Sequence, residues 1–253
     1  LFSNNIIVTY HRSNYLDSKW GSTASLVLKI GELFAKIFAS EIIYISRQFK
    51  PILPYRKSHF IPNGIPCTSR SKSRTYLDSI GVQPQKYILF TGRIVPEKAV
   101  DLLIKTFHSI KTRYSLVIAG EFEYRSSYAE TVKALCRVDD RIVLTGYVTG
   151  ENLIQLYSHA RLFTLPSFHE GMSISLLEAV SYGLPVLVSD IAANKAIGFD
   201  DRHYFKSGNS TDLREKLNAL LAKPDRRSQD KNHYFHSWPR IAEKTAQVYE
   251  KRR

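Results

Sequence analysis

Cysteine is scarce in the 253-residue chain, which holds only Cys67 and Cys136. Neither has a C-x-x-C neighbour, so a disulfide-stapled secreted scaffold is excluded and small buried thiols in a reducing compartment are expected, with the cytoplasm as the location. Long apolar runs are missing too. The most lipid-like stretch, Ser25 to Ser46, is interrupted by Lys29, Glu32, Lys36 and Glu41, and no transmembrane span is predicted. A basic then apolar leader with a small-residue cleavage site is also lacking, and the first residue is Leu1, which reads as a fragment or a processed chain. Acidic residues are outnumbered, 23 Asp plus Glu against 36 Lys plus Arg, for a formal net charge of +13. With apolar residues at 43%, the composition is globular and excludes a disordered or collagen-like chain.

Several chemical signatures are wanting. Ser167, Ser173 and Ser175 do not sit in a G-x-S-x-G elbow, and Gly92 is not followed by the spacing of a dinucleotide fingerprint or a P-loop, so serine-hydrolase, NAD and ATP chemistry lose support. His233 and His236 lie three apart without a third ligand pattern and read as surface histidines. Neither a fixed repeat of 20 to 50 residues nor a low-complexity tract appears.

What is present is a regular βα alternation. From Tyr87 onward, YILFTG, SLVIAG, RIVLTG, RLFTLPS and PVLVSD alternate with amphipathic stretches of about three turns. Strands this apolar require a parallel sheet covered on both faces, and the reading is a doubly wound α/β domain over residues 86–222. Residues 1–64 hold a partial copy of that grammar: strand NIIVTY, a helix from about Ser22 to Ser40, strand EIIYIS and an extended HFIPNGI. Two or three strands cannot cover both faces of a parallel sheet, so this piece reads as the second half of another α/β domain. Residues 65–85 read as a linker, and residues 223–253 as a carboxy-terminal helical extension that packs back on the amino-terminal part.

Gly92, Gly120 and Gly146 end three of these strands, where ligands of such folds bind. In GRIVPEK, Arg93 and Lys98 place a bidentate fork and a point charge near a helix start, which suits a diphosphate; two solvated loop cations are the bland alternative. Further on, Glu170 and Glu178 stand eight apart across a strand-to-helix turn. Gly171 is expected to permit a sharp turn there, with the N–H groups of Met172, Ser173 and Ile174 facing the same crevice as Gly92. The two carboxylates can accept hydrogen bonds from hydroxyls at both ends of one extended ligand. Equally, Ser175-x-x-Glu178 is a capping box in which Glu178 merely satisfies Ser175 N–H, and both readings stand at this point.

Taken together, G-R-x4-K, E-G-x4-LLEA-x3-G-x-PV, HFIPNGI, VIAGE, VLTGYV, LYSHARLFTLPS and the terminal HSWPRIAEKTAQVY resemble the retaining glycosyltransferases of the GT-B family usually numbered four. Within it, HRSNYLDSKWG is similar to the HGxxWxxxKWG of bacterial enzymes related to rhamnosyltransferases. The resemblance implies a GT-B-like fold, with a complete carboxy-terminal Rossmann-like domain and a partial amino-terminal one. It assigns Arg93 and Lys98 to the donor diphosphate, Glu178 to the ribose, Glu170 to donor-sugar hydroxyls and the backbone at Gly171 to Ser173 to sugar or phosphate. Tyr147 and Val148 would lie near the base, and His11 beside the donor sugar across the cleft. Arg12 stands where the family has Gly and Tyr15 where it has Trp, so Arg12 is expected to fill space at the acceptor side. Ala99 replaces a frequent Gly after Lys98, a change that a helix start is expected to accept.

A D-x-D motif is absent, so the resemblance implies a metal-independent reaction without a cofactor, in which fixed cations stabilise the leaving diphosphate. The implied activity moves a hexose or deoxyhexose from a nucleoside-diphosphate sugar to a surface-polysaccharide or lipid-linked glycan acceptor. An inactive nucleotide-sugar-binding remnant and a sugar-nucleotide epimerase are the alternatives. Between Ile42 and Tyr76, Lys or Arg occurs at 47, 50, 56, 57, 70, 72 and 74 without any Asp or Glu. That stretch suits peripheral attachment to an anionic membrane, such as the inner face of the cytoplasmic membrane, or else a solvated linker. Nucleic-acid motifs are absent and nucleic acid is not expected as a partner. The helix near Leu26 to Phe38 has a wide apolar face, for which core packing is expected.

Overall fold

The computed structural model describes residues 5–13, 15, 21–54, 57–65, 69–122, 127–223 and 237–251. Within them two parallel sheets form. The first contains β1 (Ile7–Tyr10), β2 (Glu41–Tyr44) and β3 (Ser58–Phe60) in the order β1-β2-β3. Strand β1 crosses to β2 through α1 (Ser22–Phe38). Side chains alternate between the faces of this sheet. Tyr10, Ile42 and Tyr44 join Phe49 and Leu53 on one side, while Ile43 and Ile61 meet Ile241 and Val248 on the other. Those last two residues belong to α9 (Trp238–Glu250), so the carboxy-terminal helix covers one face of the amino-terminal sheet.

The second sheet has six strands: β4 (Tyr87–Thr91), β5 (Ser115–Ala119), β6 (Ile142–Gly146), β7 (Leu162–Leu165), β8 (Val186–Ser189) and β9 (Tyr204–Phe205). Their order is β6-β5-β4-β7-β8-β9. Counted within the domain this is 3-2-1-4-5-6, the doubly wound dinucleotide-fold order, whose topological switch point falls between β4 and β7. Strands β4, β7 and β8 are buried at every residue because helices sit on both faces. The crossovers are α3 (Val100–His108), α4 (Ser127–Arg137), α5 (Gly150–His159) and α6 (Ile174–Ser181), followed by the short α7 (Ala192–Lys195) and then α8 (Ser210–Ala222).

Three features differ from the sequence reading. The stretch read as a linker contains α2 (Thr75–Ser79), and Leu77 and Val82 are buried in the main core. Arg70 also donates to the Tyr182 carbonyl at 2.7 Å, and Tyr76 N–H to Gln155 Oε1 at 2.9 Å, so the segment is docked. Ala99 does not begin a helix in ordinary geometry: it has φ +49° and ψ +41° and is fully buried. That left-handed conformation costs a non-glycine residue about 1–2 kcal/mol, which is why glycine is the natural occupant. Finally, α1 has no buried residue, and its large apolar side chains face outward instead of into a core. Cys136 is half-buried in contact with the main core, and burial pushes its thiol up to about 11. Cys67, Arg56, His233 and His236 lie outside the described residues. Among the described residues no helix is long and apolar enough to cross a membrane.

Candidate functional site

The carboxyl ends of β4 and β7 flank the switch point. Gly92 follows β4 with φ +147°, a conformation that L side chains rarely adopt, and its N–H donates to Ala119 O at 3.0 Å. Gly120, at the end of β5, comes so close that a Cβ built on it would lie 1.8 Å from Gly92 O. Two bare glycines thus open the crest of the sheet where a ligand can approach the backbone. Past the exposed Arg93, Pro96–Lys98 forms a single 3-10 turn that brings Lys98 back over the crevice. Phe168 N–H donates to Glu97 O at 2.8 Å, stitching this turn to the segment that leaves β7.

That second segment supplies the acid. Lys98 Nζ lies 2.5 Å from Glu170 Oε1, and both side chains are largely buried, 15% and 8% exposed. Ser167 Oγ donates to the same oxygen at 2.7 Å. Ser167 is itself held, since its carbonyl accepts from Ser189 Oγ at 2.5 Å and Asn194 Nδ2 donates to Ser189 O at 2.9 Å. Glu170 therefore sits at the end of a chain of buried polar groups that fixes its direction.

The amino-terminal domain grips the main chain just beyond. Gln48, on the 3-10 helix Arg47–Ile52, donates through Nε2 to Glu170 O at 3.1 Å and Gly171 O at 3.3 Å. Asn63 Nδ2 reaches Met172 O at 3.2 Å, and the Met172 side chain packs on both domain cores. Gly171 has no left-handed φ, so its role is not the sharp turn expected. A Cβ there would lie 2.2 Å from His11 O, and glycine is required because the two domains touch at that point. His11 thus meets the later loop through its carbonyl, with its ring exposed.

Glu178 has a different partner from the one the capping box supplies. Ser173 is the N-cap of α6, accepting from Leu176 N–H, and Glu178 lies beyond the first turn. Its Oε2 accepts from the Tyr157 hydroxyl at 2.8 Å. That hydroxyl also contacts Thr91 Oγ1 at 2.6 Å, directly before Gly92, and Ser175 O at 3.3 Å. Burial raises the Glu178 carboxyl above its ordinary range, and the bond from Tyr157 works against that rise. The Tyr157 phenol is raised well above its usual value by burial first and then by the Glu178 charge.

Of the residues singled out in the sequence, Lys98 and Glu170 are in contact, and Glu178 is tied to the end of β4 through Tyr157 and Thr91. Gly92 and Arg93 lie on the same rim, and Ile174 opens α6 with its side chain half exposed. Tyr147 is 71% exposed beyond β6, while Val148 packs on the main core. Tyr157, Ser167, Thr91, Gln48 and Asn63 carry the site without having been assigned to it; Tyr157 lies in the quoted LYSHARLFTLPS but has only a core-like signal. A cleft of about 200 Å³ opens between the domains beside Glu170, lined by Arg12, Gln48, Phe49, Phe168 and His169. Arg12 is a wall of this cleft. Among the described residues no three His, Cys, Asp or Glu side chains gather as metal ligands.

Two parallel-sheet domains meeting over a switch point define the architecture of a GT-B-like protein. Sucrose-phosphate synthase from Thermosynechococcus elongatus superposes with a TM-score of 0.82 at 20% identity, covering 97% of this chain and 67% of its own. Anabaena HepE in complex with UDP and glucose gives a TM-score of 0.81 at 16% identity, covering 97% and 71%. Residues 85–223 match the family model of glycosyl transferases group 1, and the chain belongs to that family. An uncharacterised glycosyltransferase from Methanocaldococcus jannaschii is 39% identical over 116 residues, 45% of this chain and 30% of the relative. The O-antigen chain mannosyltransferase B of Escherichia coli is 34% identical over 116 residues, 43% and 30% respectively. The chain thus spans about a third of the length of these relatives.

Proposed function

We propose that this chain carries the donor site of a retaining, metal-independent glycosyltransferase of the family numbered four, which moves a hexose or deoxyhexose from a nucleoside-diphosphate sugar to a surface-polysaccharide or lipid-linked glycan. The observation that carries the reading is the Lys98–Glu170 pair at the switch point. The mannosyltransferases among the relatives support a sugar donor, and HRSNYLDSKWG supports a rhamnosyltransferase-like branch.

In the free protein Lys98 is held by Glu170, and the donor exchanges that partner. The diphosphate takes Lys98 together with the Arg93 fork, in charge-assisted hydrogen bonds. Glu170, released but still oriented by Ser167, accepts hydrogen bonds from sugar hydroxyls, and Glu178 accepts from the ribose. As the bond between the anomeric carbon and the phosphate oxygen breaks, its electron pair leaves with the diphosphate, whose growing charge the two cations stabilise. The acceptor oxygen attacks the same face, and its proton passes to the departing phosphate oxygen. No side chain serves as nucleophile. The reaction requires no cofactor in this reading and runs in the cytoplasm.

Titration with UDP, GDP, dTDP and ADP and with their nucleosides tests the assignment. Arg93→Ala and Lys98→Ala should each weaken the preferred nucleoside diphosphate at least tenfold more than its nucleoside, and equal losses would refute the diphosphate role. Tight binding without donor hydrolysis or transfer would favour the inactive remnant.

A further inference from the structure

Glu170 is aimed by a peptide group that is held on both edges. The carbonyl of Ser167 and the N–H of Phe168 belong to one planar unit. Its oxygen accepts from Ser189 Oγ at 2.5 Å, and its N–H donates to Glu97 O at 2.8 Å. One clamp thus stands at the end of β8, and the other on the 3-10 turn that carries Lys98. A rigid plane gripped in this way resists rotation about its flanking bonds, which fixes the direction of the Ser167 side chain. The Ser167 hydroxyl gives its one hydrogen to Glu170 Oε1 at 2.7 Å.

Ser189 is aimed in turn. Asn194 Nδ2 donates to its carbonyl at 2.9 Å and to its hydroxyl oxygen at 3.2 Å, so the hydroxyl hydrogen is left for Ser167 O. Asn194 is fixed from β9, where the Tyr204 hydroxyl donates to its carbonyl at 3.2 Å. Ser167 and Ser189 are fully buried, and Asn194 is 1% exposed. Polar side chains so placed gain little net stability over well-packed apolar ones, because folding only exchanges their bonds to water for bonds to each other. What they add is direction: the donors run from Asn194 through Ser189 to the Ser167 peptide, and the Ser167 hydroxyl ends the series on a carboxylate that lines the cleft. In the free protein Lys98 and Ser167 both donate to Oε1 of that carboxylate. Once a diphosphate draws Lys98 away, Ser167 is the side-chain donor left to Glu170 among the described residues.

We propose that Ser189 and Asn194 are positioning residues for the donor sugar. Buried beneath the crevice, they act through the Ser167–Phe168 peptide to set the angle at which Glu170 meets the sugar hydroxyls. This inference rests on the donor-site reading above, and it assigns the two residues to recognition of the sugar rather than of the nucleoside diphosphate.

Affinities for UDP-glucose, GDP-mannose, dTDP-glucose and ADP-glucose, each measured beside its free diphosphate, separate the two contributions. For the pair that binds, Ser189→Ala and Asn194→Ala should each weaken the sugar nucleotide at least about fivefold relative to its diphosphate, because small misplacements of a ligand-binding group are costly. Ser189→Cys, close in size to serine but a weak donor, should give the same relative loss and serves where the alanine variants do not fold. In a Glu170→Ala background the Ser189 substitution should add nothing to the relative loss, since its effect passes through that carboxylate. A merely structural role lowers the urea midpoint but moves both ligands together. An unchanged ratio of the two affinities in a folded Ser189 variant, or a relative loss that persists without Glu170, overturns the inference and leaves the donor-site reading standing. Failure of the parent chain to bind any of the diphosphates or sugar nucleotides overturns both.

Discussion

Tyr157→Phe removes one oxygen atom and tests whether Glu178 is held for ligand binding. The Tyr157 hydroxyl has a single hydrogen, which it gives to Glu178 Oε2 at 2.8 Å, so Thr91 Oγ1, 2.6 Å away, is the donor to it. The substitution deletes a hydrogen bond to a charged group, worth about 1.5–3 kcal/mol, and leaves Thr91 Oγ1 to find another partner. Thr91 is 6% exposed, so water compensates little, and a loss of about 3 kcal/mol in urea denaturation is expected. The functional consequence concerns pH. Burial raises the Glu178 carboxyl above 4.5, and the bond from Tyr157 is what opposes the rise. An acid raised on folding stabilises the protein only at low pH, below its unfolded value, and that stability is lost as pH rises through the folded value. An ionised Glu178 is therefore a cost to the fold, and the proposed role of the carboxylate in accepting ribose hydroxyls would account for it. Nucleoside-diphosphate affinity should fall as the pH drops through the raised value, and in Tyr157→Phe that fall should begin at higher pH. Glu178→Gln should bind weakly and without this dependence. Isothermal titration from acid to neutral pH measures all three proteins. Superimposable pH profiles for the parent chain and Tyr157→Phe would refute the reasoning.

Gly171→Ala should separate the domains at the crevice, because its Cβ would come within 2.2 Å of the His11 carbonyl, a backbone atom that cannot rotate away. Hydrogen exchange in residues 7–13 and 47–52 should rise and donor hydrolysis, where present, should fall at least tenfold; unchanged exchange would deny the contact. At position 99, a β-branched residue cannot adopt φ +49° without strain in a fully buried site. Ala99→Val should cost more than about 3 kcal/mol, while Ala99→Gly should stay within about 1 kcal/mol, its relief of strain being offset by a freer unfolded chain. Urea midpoints compare the two, and equal effects would show that the left-handed turn carries no strain.

The amino-acid sequence by itself determined the alternation of apolar strands with amphipathic helices, the glycines at the strand ends, and the G-R-x4-K and E-x7-E spacings. These are legible because helix and strand periods and turn chemistry act over a few residues. The strand order, and with it the switch point between β4 and β7, follows from how those units pack. Contacts between residues far apart in the chain could not be read locally. Lys98 meets Glu170 across 72 positions, Gln48 reaches Glu170 across 122, and Tyr157 claims the carboxylate that the capping-box spacing offers to Ser175. Likewise, Gly171 is needed for a neighbour from the other domain rather than for its own turn, and α1 shows its hydrophobic pattern to the outside. Periodicity establishes that a helix has two faces. Only the tertiary arrangement decides which face is covered, because burial depends on what the rest of the chain brings against it.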